Sequence, residues 1–105
     1  MYIEVDFPMF VDAFKKMGRD YFTYEGYKVL YNYLTECEND LGIKIELDII
    51  AICCEYHEYK AEDLILEYGA PSQTPQEVLE YVRNNTTVLE VPQPDGSTTY
   101  IVEAF

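Results

Sequence analysis

The chain has no tryptophan, one histidine, three cysteines and only seven basic residues among its 105. Each scarcity closes off a class of explanation. Cys37, Cys53 and Cys54 are an odd count without framework spacing, which argues against a disulfide-stapled secreted scaffold and for reduced thiols in a cytoplasm. A single histidine leaves little from which to build a zinc site or a histidine-based catalyst. Seven Lys and Arg against twenty Asp and Glu give a formal charge of −13, which repels nucleic acid and anionic lipid and attracts basic surfaces. No apolar run approaches the roughly 20 residues of a membrane helix. Glu4 and Asp6 interrupt the only apolar start, so no signal peptide is expected. A Gly-rich phosphate loop, a Ser/His/Asp set and a basic aromatic patch are also missing. With no cofactor motif either, nothing positive supports an enzyme.

What the chain does have is apolar and aromatic mass. Nearly half of it is apolar and eleven residues are tyrosine, so this is no disordered acidic tail. Tyrosine buries a ring while keeping a wet hydroxyl, which suits a thin core or a contact surface. The length predicts one domain, 1–105, with a single core. Charge is uneven along it. Residues 1–44 hold eight acids and five bases, net −3, whereas residues 45–105 hold twelve acids and two bases, net −10.

The longest apolar run, Ile49–Cys54, is rich in β-branched isoleucine and reads as a buried central strand, with a short helix as the rival reading. Ile43–Leu47 alternates with period two, the pattern of a half-exposed strand, and Met1–Phe7 has the composition of another. Pro8 suits the first turn of a helix whose stripe is Phe10, Val11, Phe14 and Met17, ended by Gly18. Thr23 is the expected N-cap of a helix over Tyr24–Leu41, striped by Tyr27, Leu30, Tyr31, Leu34, Cys37 or Glu38, and Leu41, with Gly42 as its stop. A short helix over Ala61–Tyr68 follows, closed by Gly69. Thr74-Pro75-Gln76-Glu77 is a capping box for a helix to about Arg83 that turns Val78, Leu79 and Val82 inward. Thr86–Val91 and Thr98–Val102 flank the turn residues Pro92–Gly96 and predict a C-terminal hairpin. The expected fold is α+β, with about four helices packed on a small, mainly antiparallel sheet.

Two stretches invite a chemical reading. In Cys53-Cys54-Glu55-Tyr56-His57, a strand would point the two cysteines to opposite faces, so they cannot share a metal. Both are expected to be small buried core residues beside a surface histidine, and no metal or cofactor is expected. The second stretch is acidic. Glu55, Glu58, Glu62, Asp63 and Glu67 lie close together with only Lys60 to offset them, and Glu77 and Glu80 follow on the next helix. A solvated helix face is the plain explanation of such a run. Ordinary solvated faces mix signs, however, because like charges at i,i+4 are mildly destabilising. A domain that accepts this cost is a candidate for using its field.

Gly18-Arg19, Phe22-Thr23-Tyr24-Glu25, the run Glu46 to Tyr56, Glu58-Tyr59 and Asn85-Thr86-Thr87-Val88 resemble a family of short acidic proteins encoded by bacteriophages and mobile elements. In size and charge the chain is also similar to phage inhibitors of host defence, the anti-CRISPR and antirestriction DNA mimics. The resemblance implies a cytoplasmic protein acting in the host cell and supplies no catalytic residues. The expected function is therefore a non-enzymatic inhibitor that docks on a nucleic-acid-binding host protein, such as a CRISPR effector or restriction enzyme, by charge mimicry. Glu55, Glu58, Glu62, Asp63, Glu67, Glu77 and Glu80 would supply the charge, with Tyr56 and Tyr59 as anchoring rings. The alternative is a structural or regulatory accessory protein acting through a homodimer or other protein contacts. A small enzyme or metal protein comes third. Direct nucleic-acid binding and membrane binding are not expected.

Overall fold

A computed structural model describes residues 5–42, 47–69 and 74–105. Its first helix, α1 (Phe7–Lys16), starts where the sequence can cap it. The Asp6 side chain accepts from the Met9 amide at 2.9 Å, Pro8 lies in the first turn, and Lys15 and Lys16 close the negative end. Phe10 and Phe14, one turn apart, are fully buried, while Met17 at the end of the expected stripe is exposed. Helix α2 (Tyr24–Leu41) is capped by Thr23, whose hydroxyl accepts from the Gly26 amide at 3.0 Å. It ends at Gly42 in the left-handed region, φ 64°, which glycine enters without a Cβ penalty. Its buried stripe is Tyr27, Leu30, Leu34 and Glu38; Cys37 lies half-buried to one side.

The apolar run Ile49–Cys54 is not a strand. It forms helix α3 (Ile49–Glu55), and the expectation of a central strand is corrected. Asp48 caps it, accepting from the Ala51 amide at 3.1 Å. Only Ile49, Ile52 and Cys53, at i, i+3 and i+4, are buried, whereas Ile50 and Cys54 are exposed. One-sided burial is what a helix on a surface requires, and that packing overrides the β-preference of isoleucine. Cys54 is accordingly not a core residue. Of the other expected strands, Ile43–Glu46 and Met1–Glu4 lie outside the described residues, and Phe7 begins α1 instead.

The sheet is built later in the chain. Strand β1 (Tyr56–Lys60) runs straight out of α3; after α4 (Ala61–Tyr68) and α5 (Pro75–Asn85) come β2 (Val88–Pro92) and β3 (Thr98–Glu103). The strand order is β1-β3-β2, antiparallel throughout, so the hairpin is as expected and β1 joins its far edge. The fold is α+β, with five helices among the described residues and a three-stranded antiparallel sheet. Both faces of the sheet are covered. On one, Tyr56, Leu89, Val91 and Ile101 pack with the rings and aliphatic residues of α1, α2 and α3. On the other, Val88, Tyr100 and Val102 pack with Leu64 of α4 and Val78, Leu79 and Val82 of α5. Helix α5 begins as expected, with the Thr74 hydroxyl accepting from the Glu77 amide at 3.2 Å, and runs two residues beyond Arg83. No helix among the described residues is long and apolar enough to cross a membrane.

Candidate partner-binding surface

The nine residues expected at a partner surface separate into groups. Glu58 and Tyr56 face inward. β1 alternates, and its register places Glu58 opposite Ile101, on the face that meets α2. There the Glu58 carboxylate accepts from the Thr23 amide at 2.8 Å, the Thr23 hydroxyl at 2.8 Å, the Thr99 hydroxyl, and the Gln93 side-chain amide at 3.3 Å. It sits at the positive end of α2, in the place a bound anion would take. Gln93 also donates to both threonine hydroxyls at 3.0 Å. Glu58 is thus a latch joining the start of α2, the edge of β1 and the hairpin turn, and its charge is spent inside the molecule. Tyr56, expected as an anchoring ring, is 8% exposed, with its ring 6.4 Å from that of Tyr33. Burial foremost, and then the charge of Glu103, pushes its phenol well above the usual range. Both residues leave the surface set.

The remaining acids point outward. Glu55, Glu62, Asp63, Glu67, Glu77 and Glu80 are all exposed. Leu64 turns α4 inward, so its outer face is Glu62, Asp63, Leu66 and Glu67, with Leu66 84% exposed among the acids. Glu77 is partly engaged, since its carboxylate accepts from the Thr74 hydroxyl at 3.3 Å. The ion pairs among the described residues lie elsewhere: Lys16–Asp12, Lys28–Glu25 and Arg83–Glu90. None of the outward acids of α4 and α5 shares in them.

Beside these acids the same two helices and β1 bring rings together. Tyr59, the second expected anchor, is half-buried, and its ring meets Tyr68 edge to face at 5.8 Å. Tyr68 stacks on Phe105 at 5.4 Å, and Phe105 lies 6.4 Å from Tyr81. Tyr81 and Phe105 are half-exposed or more, at 50% and 58%. Burial, and then a hydrogen bond with Tyr68, raises the Tyr59 phenol; the nearby charge of Glu67 raises it further. No local pattern in the sequence announces this row. Its members lie on four separate elements or ends, and only helix packing aligns them.

A groove of about 850 Å³ opens between the start of α4 and the hairpin turn, lined among others by Thr23, Lys60, Glu62, Gln93 and Asp95. It carries mixed charges, and the Ser97 hydroxyl on its wall donates to Asp95 at 2.6 Å. Cys53 is buried, with its thiol raised by that burial and lowered in part by Arg19; Cys54 and His57 are exposed. Among the described residues, no group of three or more His, Cys, Asp or Glu gathers as a metal-ligand set. Comparison with protein-family models, curated proteins and solved structures finds no match.

Proposed function

We propose that the protein is a non-enzymatic inhibitor that occupies a basic, nucleic-acid-binding groove of a host protein by charge mimicry. The observation that supports this reading is the outer face of α4. Glu62, Asp63 and Glu67 are exposed there without an ion pair among the described residues, and Glu80 is likewise exposed on α5. Asp63 and Glu67 are one turn apart, about 6 Å, a repeat of negative charge suited to a row of phosphate-binding Lys and Arg. The imbalance of −10 after residue 44 gives the face a long-range field that speeds encounter with a basic partner. A CRISPR effector or a restriction enzyme has such a groove, and the phage resemblance favours that class of target. Self-association through this face would set like charges against each other, which disfavours a homodimer built on it.

The experiment is a competition. The protein is immobilised, a bacterial lysate is applied at low and high salt, and the recovered partner is purified with its nucleic acid. Added protein should displace the nucleic acid at low salt and lose that ability as salt rises. A partner whose nucleic-acid binding is unaffected at any salt would refute the mimicry.

A further inference from the structure

We infer that the row Tyr59–Tyr68–Phe105–Tyr81 is a docking surface for an arginine-rich segment of the partner protein. The inference rests on the charge-mimicry reading and adds which basic residue the surface selects. Rings exposed to this degree on a small domain are a cost in water unless something covers them. Two features of the row name the cover. The first is charge. Glu77 lies one turn before Tyr81 on the same face of α5, and Glu67 lies close enough to Tyr59 for its charge to act on that phenol. An apolar occupant would have to desolvate these carboxylates without compensation, whereas a cationic one pairs with them. The second is the rings. Lys28 lies 4.7 Å from the ring centre of Tyr24, the cation–ring contact found among the described residues. Among the described residues, no cation lies over the exposed row. A planar guanidinium stacks on an aromatic face while still donating in the ring plane to a carboxylate; an ammonium does the second well and the first poorly. Exposed rings with acids beside them therefore select arginine over lysine.

The test uses the full chain and two peptides of equal length, oligoarginine and oligolysine, titrated at one ionic strength and followed by NMR. The arginine peptide should bind roughly tenfold tighter, the gain expected from two or so stacked guanidinium groups. Tyr81→Ala/Phe105→Ala should erase that preference and leave a weaker, charge-driven affinity equal for both peptides. Both side chains are exposed, so the fold should survive, as an unchanged thermal midpoint would verify. Tyr81→Leu/Phe105→Leu, which keeps apolar bulk without a π face, should lose the preference as well. Equal affinities for the two peptides, no binding of either, or a preference that persists in both double variants would overturn the inference. Equal, salt-sensitive binding that disappears in Glu62→Gln/Asp63→Asn/Glu67→Gln would overturn the aromatic row yet leave the charge reading standing.

Discussion

On one side of the sheet, Phe10, Phe14, Phe22 and Tyr27 meet mostly edge to face, and none is more than 6% exposed. On the other, Tyr68, Phe105 and Tyr81 make a similar chain of ring contacts, with Tyr81 and Phe105 half in water. Residue type does not separate the two clusters; enclosure does. The first is closed between α1, α2 and the sheet, so its area counts toward stability at roughly 1.5–3 kcal/mol per fully buried ring. The second lies at the rim of a smaller core of Leu64, Val78, Leu79, Val82 and Val102, beside acids that share in no ion pair among the described residues, and its exposed rings Tyr81 and Phe105 contribute little to folding. Stability is concentrated on the α1–α2 side and surface chemistry on the α4–α5 side.

The sharpest test of that division is a matched truncation. Phe14→Ala removes a fully buried ring that touches Phe10, Phe22 and Tyr27 and should cost about 3–5 kcal/mol in chemical denaturation. Phe105→Ala should change stability by no more than about 0.5 kcal/mol. Comparable losses would erase the distinction.

A smaller effect is expected at the Glu58 latch, which ties the start of α2 to the sheet. A Cβ on Gly26 would collide with Glu58 Oε1, so Gly26→Ala must push the carboxylate off its donors at Thr23. The loss should be about 1–3 kcal/mol, despite the better helix propensity of alanine. In a Glu58→Ala background the same change should instead stabilise, by up to about 1 kcal/mol. An alanine that stabilises the protein with Glu58 present would mean the latch is not held.

A third effect follows from the buried phenols and appears only in alkali. Tyr27, Tyr56 and Tyr59 are all raised above the ordinary 10.0, chiefly by burial, and Tyr27 also donates to Asp20 at 2.6 Å. The unfolded chain releases these protons first, so their contribution is complete below the unfolded value and is lost as pH climbs beyond it. Denaturation midpoints should therefore fall between about pH 9 and 11, and Tyr59→Phe should flatten the slope. A flat profile over that range would contradict the burial.

The helix caps were legible because capping is local. Asp6 escaped notice, but Thr23, Gly42 and Thr74-Pro75 marked their helices, and Ala61–Tyr68 was placed to the residue. The hairpin was legible for the same reason. Ile49–Cys54 is ambiguous in the sequence because a six-residue apolar run has no periodicity to arbitrate between strand and helix; Asp48, its cap, is the one local cue to a helix. A strand over that run leaves β1 no place, and it is β1 that turns Tyr56 and Glu58 toward the α2 face. Glu58, Thr23, Gln93 and Thr99 are joined only by the β1–β3 register and the packing of α2, which no local pattern encodes. Which acids of α4 point outward is not legible in the sequence and becomes visible only with Leu64 buried against α5 and the sheet.

The central claim is that the acids of α4 are there for a partner and not for the fold. The deciding measurement is the affinity for the recovered nucleic-acid-binding partner as ionic strength is varied, for the native chain and for Glu62→Gln/Asp63→Asn/Glu67→Gln. These changes keep side-chain length and remove charge, so stability should hold or rise slightly as like-charge repulsion is relieved. Affinity should fall about a hundredfold or more, mainly through slower association, and the salt dependence should flatten. An unchanged affinity with an unchanged salt slope would show that the α4 face is only solvated surface.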